Sequence, residues 1–366
     1  MTIVDDVDRK QIYNQVAIDI AGEYAKTVGE FQKHNAVSDS EPDLSKLFPS
    51  YSRSGLGAAL EYLNMGLRPV SSDLQARAEE IGVEFEHLGT TLGTVLHNVD
   101  LTAPRPPELI RFIRDSLVER KVIFFRNQHL TEDDLVAFGR DFGPLDAFPF
   151  GQTGDNPYIY EIHHDKNRPG SINNWHTDVT WMEEPSLGSI AQCTVVPPVG
   201  GDTMFSDSHA AYLGLPEDVQ QRPQHIHGIN DYRTFLKPYF PEDLVDSIKA
   251  KIPFGVSHPV LRTHPENGKT ALYIHFGFIR HDSLYDIRTG EVLGADECAK
   301  LIRILNPQHA RPEYQCRFQW EDGSVAFWDN RAVQHYAVSD YYPHDRVLRR
   351  VTVSGDRPFY DPDGQT

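Results

Sequence analysis

Apolar and polar positions alternate along this chain with two different periods, and the change of period marks its organisation. Between Val7 and Phe31 there is no proline, and Ile12, Val16, Ile20 and Tyr24 fall on one stripe at helical spacing, which predicts a helix. Lys33 to Ser54 is polar and carries Pro42 and Pro49, as a linker or extended arm would. Ala58–Met65 and Asp73–Ile81 are two shorter helical stretches. From Val83 the pattern shifts to short strands punctuated by Gly and Pro. Pro107 to Arg120 is an amphipathic helix with Leu109, Phe112, Ile113 and Leu117 on its apolar side, followed by a buried strand over Val122–Arg126. Thr131 to Asp141 follows as a helix, with Thr131 at its start and Asp134 three residues on, close to a capping box. A helix over Ala295–Leu305 precedes a strand over Tyr314–Trp320. These elements predict a mainly β protein with helical additions, divided into an N-terminal helical extension (1–80) and one large β-core domain (81–366). The extension reads as a packing element that covers the core or carries homo-oligomer contacts.

Composition narrows the partners. At 366 residues, with 39% hydrophobic and 11% aromatic residues, the chain can bury a sizeable core. Its 53 acidic against 35 basic residues give a net charge of -18, which argues against nucleic acid or an anionic membrane as partner. The three cysteines (Cys193, Cys298, Cys316) are scattered with no C-x-x-C spacing, as expected in a reducing cytosol. The acidic N-terminus lacks an apolar leader, and no apolar run reaches the roughly 18 residues of a membrane span. The expected location is cytoplasmic.

Against this background one constellation carries chemistry. Ile172 to Trp181 reads as strand, and within it His176-Thr177-Asp178 would present an imidazole and a carboxylate on one face. Far along the chain, the apolar segment from Phe327 turns at Asp329-Asn330 and delivers His335. Two imidazoles and one carboxylate on one face of a metal leave positions open opposite, the arrangement of non-haem Fe(II) oxygenases. The strand that follows puts Arg346, Leu348 and Arg350 on one face and Val347, Arg349 and Val351 on the other. Two arginines facing a core need anionic partners, and the planar guanidinium fork suits carboxylate or sulfonate. Arg350 has internal candidates in Asp340 and Asp356. His163-His164-Asp165 reads as a polar loop, because adjacent strand residues point oppositely and cannot share a metal.

The ordered motifs together resemble the taurine/2-oxoglutarate dioxygenase (TauD/TfdA-like) family. The matching stretches run from about Val83 to Tyr360: Val122 to Gln128, Phe138 to Gly143, Asn174-Trp-His-Thr-Asp-Val-Thr180, Gly200-Gly-Asp-Thr203, His258 to Pro265, Trp328-Asp-Asn330, Gln334-His-Tyr336 and Gly355 to Tyr360. The resemblance implies a double-stranded β-helix (jelly-roll) core. It also implies Fe(II) held by His176, Asp178 and His335, with 2-oxoglutarate held at its distal carboxylate by Thr203 and Arg346. Arg350 matches the position that binds the substrate's anionic group. The implied reaction uses O2 and 2-oxoglutarate to oxidise a C–H bond of a small-molecule substrate, giving succinate and CO2.

The chain departs from the taurine enzyme at the substrate. Its His and Tyr after the Phe-Gly element are Phe148 and Gly151 here, and its Asn four residues before the first ligand is Ile172. The expected pocket is therefore more apolar than taurine requires, lined by Phe148, Phe150, Ile172, Val179, Trp181, Tyr232 and Phe278. His275 stands where relatives carry Asn, either reaching the pocket or satisfied in the core. Alternatives of other classes are a tailoring oxygenase of secondary metabolism, a cupin-like barrel that binds metal without turnover, and a Zn site using the same ligands without O2.

Overall fold

The computed structural model describes residues 52–148, 156–233, 241–250, 255–275 and 277–362, with 15–18, 20–23, 26 and 48 nearer the start of the chain. Two compact units appear, Met1–Tyr51 and Ser52–Thr366. In the first, residues 15–18, 20–23 and 26 are helical, and Val16, Ile18 and Ile20 are exposed. Ile12 and Tyr24 of the predicted stripe, and most of the predicted linker, lie outside the described residues. The helices Arg53–Asn64 and Ser72–Ile81 belong to the second unit.

The second unit is rich in sheet and edged by helices. Its large sheet runs β1 (Glu84–His87), β2 (Thr94–His97), β3 (Val122–Phe125), β14 (Val325–Asp329), β6 (Gly188–Val195), β16 (Arg346–Val353) and β4 (Leu145–Asp146), with β5 (Tyr160–His164) also paired to β16. All of its pairings are antiparallel except β2 with β3. A second sheet orders β13 (Gln315–Phe318), β7 (Thr203–Asp207) and β15 (Val333–Ala337). Smaller sheets pair β10 (Leu261–Thr263) with β11 (Thr270–Leu272), and β12 (Tyr285–Asp286) with β8 (Ile226–Asn230) and β9 (Val256–Pro259).

Strand alternation gives the large sheet two different faces. Ile123, Phe125, Val325, Phe327, Ile190 and Val351 point to one side. There they pack against Leu74, Phe112, Leu117, Leu135 and Phe138 of the helices Ser72–Ile81, Pro107–Arg120 and Glu132–Arg140. Val122, Phe124, Ala326, Trp328, Ala191, Cys193 and Leu348 point to the other, against Phe205, Cys316, Phe318 and Val333 of the second sheet. Phe124 and Phe318 stack across this layer with centroids 3.9 Å apart. The helix signals act as their sequences dictate: Thr131 and Asp134 form a capping box, and Pro107 opens its helix at a position whose N–H has no intrahelical partner.

Arg53–Asn64 is pinned to the sheets by charge. Glu61 and Asp207 both accept from the fully buried Lys121 Nζ, at 2.7 and 2.8 Å, and the Thr91 carbonyl takes its third N–H at 2.9 Å. Each ammonium donor is thereby used, which is the condition under which a buried charge is tolerated.

Candidate metal centre and anion pocket

The site forms where the second sheet ends. His176 and His335 pair as an isolated antiparallel bridge, exchanging N–H···O bonds of 3.1 and 2.9 Å, which brings their ring centroids to 4.1 Å. The predicted strand over Ile172–Trp181 is corrected here: His176 makes that one bridge and residues 178–181 turn. Val179 sits at φ +47°, a left-handed conformation that a β-branched side chain resists. Met182 N–H closes the turn on the Val179 carbonyl at 2.9 Å. Asp178 therefore reaches His176 by a turn, not by strand alternation. Strain of this kind costs about 1–3 kcal/mol and persists where surroundings over-determine it.

Those surroundings are explicit. Thr180 Oγ1 lies 2.9 Å from Asn230 Oδ1 and 3.0 Å from His275 Nε2, while the Gly277 N–H donates to His275 Nδ1. His275 is thus a satisfied core histidine, and burial keeps it neutral. It also packs behind the centre: a Cβ on Gly277 would lie 3.1 Å from the His275 ring and 3.2 Å from the His176 Cβ.

Ligand atoms of His176, Asp178 and His335 lie within 4.8 Å of one another, and all three residues are buried. The Asn174 carbonyl accepts from His176 Nδ1 at 2.8 Å, which directs the lone pair of Nε2 to the centre. Asp178 is gripped at both oxygens. Ser189 donates to Oδ2 at 2.9 Å, and Arg350 Nη1 donates to Oδ1 at 2.9 Å. Behind Ser189, Asn330 Nδ2 contacts its Oγ at 3.4 Å and Ser186 Oγ at 2.8 Å, and Trp328 Nε1 donates to Asn330 Oδ1 at 3.0 Å. Burial alone would raise the Asp178 carboxyl, but Arg350, His335 and His176 outweigh it and hold it well below the usual carboxylate range. Burial, with His176 and Arg350 close by, pushes His335 down to about 3, so both imidazoles are neutral and available as ligands. His335 Nε2 lies 3.8 Å from Asp178 Oδ1, and its Nδ1 has no hydrogen bond among the described residues.

A cavity of about 70 Å³ opens beside this group, lined by His164, Ile172, Thr203, Trp320, Arg346 and Arg350 among others. Arg346 is 3% exposed. Its Nε donates to the Gly201 carbonyl at 2.9 Å, its Nη2 lies 3.5 Å from Thr203 Oγ1, and its guanidinium stands 5.8 Å from the centroids of both Trp320 and Tyr341. No carboxylate among the described residues pairs with it. The approach needs Gly201: at φ +74° a Cβ would fall 3.1 Å from Arg346 Cδ and 2.8 Å from Pro197 Cγ.

Arg350 has a different environment. Its sequence candidates Asp340 and Asp356 are engaged elsewhere, at the Gly201 N–H and at Arg262, and its partner is Asp178. The guanidinium faces Tyr160 (5.3 Å) and Phe148 (5.8 Å). From Phe148 an apolar cluster extends through Val179, Trp181, Tyr232 and Phe278, with Trp181 and Tyr232 edge-to-face at 5.5 Å. Five predicted lining residues are therefore brought together there, and Ile172 lines the cavity. Phe150 and Gly151 lie outside the described residues.

Sequence reasoning gave no site role to Ser189, Asn330 or His164. Ser189 carried a usable signal, since it shares the strand face of Ala191 and Cys193, which points inward. The polar-loop reading of 163–165 is also corrected: His163 and His164 end β5, with His163 exposed and His164 buried opposite Arg346.

Comparison with known proteins agrees with this geometry. Residues 84–352 match the family described as taurine catabolism dioxygenase TauD, TfdA family. An alkylsulfatase of Acinetobacter baylyi is 32% identical over 288 residues, covering 75% of this chain and 86% of that protein. An alpha-ketoglutarate-dependent sulfate ester dioxygenase of Pseudomonas putida is 33% identical over 282 residues, covering 75% and 90%. The crystal structure of a taurine dioxygenase from Burkholderia xenovorans superposes with a TM-score of 0.64 at 33% identity, covering 77% of this chain and 94% of that one.

Proposed function

Because the chain belongs to the TauD, TfdA family of dioxygenases, we propose that it is an Fe(II)- and 2-oxoglutarate-dependent dioxygenase acting on a small substrate that has an anionic group and an apolar body. One observation carries the reading. A buried His-Asp-His group adjoins a cavity that is also lined by a buried arginine with no acidic partner among the described residues. The donor set fits Fe(II): two neutral imidazoles and one carboxylate, with space beside them. The cavity fits a dicarboxylate, whose far end would meet Arg346 and Thr203.

When bound, Fe(II) and 2-oxoglutarate supply the O2 activation that oxidises the substrate C–H bond and leaves succinate and CO2. The protein's share is orientation and exclusion. Asn174 sets the His176 tautomer, and Ser189 holds one Asp178 oxygen so that the other faces His335. Thr203 Oγ1, already accepting from Trp320 Nε1 at 3.0 Å, has its own hydrogen free for a carboxylate. Arg350 anchors the substrate's anionic group. Phe148, Val179, Trp181, Tyr232 and Phe278 surround its apolar part and keep water out.

The two main sheets, facing across Phe124, Phe205 and Phe318, are read as halves of a double-stranded β-helix. A cytosolic setting suits the three free, buried cysteines and the supply of Fe(II) and 2-oxoglutarate. Among the described residues no helix is long and apolar enough to cross a membrane.

The test is anaerobic visible absorbance. Fe(II) with 2-oxoglutarate is expected to give a charge-transfer band that is absent in His176→Ala and shifts when an alkyl sulfate, sulfonate or aryloxy acid is added. Fe(II) binding with no band overturns the oxygenase reading.

A further inference from the structure

The large sheet places a histidine beside Arg346, the arginine that pairs with no acid among the described residues. β5 and β16 run antiparallel in a register that sets His164 against Arg346, Ile162 against Leu348 and Tyr160 against Arg350. Four residues of strand span roughly 13 Å. The cavity therefore has two ends along this ladder. Tyr160 and Arg350 stand at the metal-ligand end, through the Arg350–Asp178 bond, and His164 and Arg346 stand at the other.

His164 is held in a definite orientation. Its Nδ1 lies 2.7 Å from the Tyr341 hydroxyl, on the same tyrosine whose ring faces Arg346. Tyr341 is itself confined, since a Cβ on Gly170 would lie 2.5 Å from its hydroxyl oxygen. Burial and then the Arg346 charge bring His164 down to about 4, so the ring is neutral at physiological pH. A neutral ring that accepts the tyrosine proton at Nδ1 carries its own proton on Nε2. Nε2 has no hydrogen-bond partner among the described residues, and His164 lines the cavity.

Building on the co-substrate reading above, we propose that His164, locked by Tyr341, is a third binding group for the distal carboxylate of the 2-oxo acid, donating from Nε2 alongside Arg346 and Thr203. It then selects the length of the co-substrate: only an acid whose second carboxylate reaches the far end of the cavity gains this bond.

The experiment measures, by anaerobic calorimetry on the full chain loaded with Mn(II), the affinities for 2-oxoglutarate and for pyruvate, which lacks the distal carboxylate. A hydrogen bond to a charged group lost in His164→Ala corresponds to about tenfold weaker 2-oxoglutarate binding. Pyruvate and Mn(II) affinities are expected to stay at wild-type values, and His164→Gln, which keeps an N–H donor, to recover most of the loss. An equal loss for both acids, or no loss for either, overturns the assignment. Wild-type protein that binds neither acid overturns the co-substrate reading itself and this assignment with it, an outcome evident before any substitution is made.

Discussion

Arg346 and Arg350 lie on one face of one strand, yet the protein uses them differently. Both are buried, and both line the same cavity. Arg346 is held by a carbonyl and two aromatic rings and pairs with no acid among the described residues. Its charge, costly to desolvate, is an unmet demand for an anion from outside. Arg350 spends its charge on Asp178, one of the three candidate metal ligands. The difference teaches that the Arg346 end of the cavity is pre-organised for an anion, whereas the Arg350 end is tied to the candidate metal ligands. An anion arriving at Arg350 has to share the guanidinium with Asp178, and a metal at Asp178 has to share the carboxylate with Arg350.

Removing the shared carboxylate should have the largest effect. Asp178→Ala deletes a ligand, so metal affinity should fall by more than the ~10–100-fold that outer partners of metal ligands contribute, and turnover should vanish. Titration of Mn(II) into the apo protein measures this, and near wild-type affinity would remove Asp178 from the centre.

Truncating the two arginines tests the comparison directly. Arg350→Ala leaves Asp178 buried without its cation, and breaking a buried pair in this way costs about 3–5 kcal/mol. The loss should show in thermal melts of the apo protein and shrink on addition of Mn(II), which takes over the carboxylate charge. Arg346→Ala orphans no acid, so the apo melting temperature should hardly move. Its 2-oxoglutarate affinity should instead drop by at least about 30-fold, the cost of truncating one side of a buried charge pair. If both variants destabilise the apo protein equally, the two ends are not distinct.

A smaller effect should come from Ser189→Ala. The Oδ2 atom of Asp178 loses its donor, and metal affinity is expected to fall about tenfold, with Ser189→Thr recovering part of it. Unchanged 2-oxoglutarate affinity at saturating metal would place the effect at the metal end alone.

How far the sequence reveals this arrangement depends on whether a side chain is placed locally or by distant pairing. The face shared by Arg346, Leu348 and Arg350 follows from strand alternation, and the structure has it so. The helix at Glu132–Arg140 is legible because its cap chemistry is local. The turn at Asp178 is not. Trp175, Thr177, Val179 and Thr180 all favour strand, and tertiary bonds from Asn230 and His275 to Thr180 override them, leaving Val179 at φ +47°. Strand β5 hides for the opposite reason. His163-His164-Asp165 has no apolar period, and only pairing with β16 reveals that His164 is buried while His163 is exposed. The partner of Arg350 is equally invisible, because it lies 172 residues away and no local rule prefers it to Asp340 or Asp356.

The smallest expected effect is a pH signature confined to the Arg346 end. His164 stays neutral in the folded protein down to about 4, while in the unfolded chain it takes a proton near 6.5. Its contribution to stability is therefore complete above about pH 6.5 and is lost progressively as pH falls toward 4, because the unfolded state binds the proton first. Burial is the larger cause of this depression and the Arg346 charge the next. Arg346→Ala removes the second cause and raises the folded value, so the loss of stability between pH 6.5 and 4 should become shallower. Arg350→Ala should leave most of the His164 share of that slope in place, since Arg350 is not among the larger charges acting on His164. Urea unfolding of the apo proteins at intervals of pH measures the three slopes. A slope as steep in Arg346→Ala as in wild type would mean that burial alone keeps His164 neutral, and that the arginine and the histidine do not sense one another across the ladder.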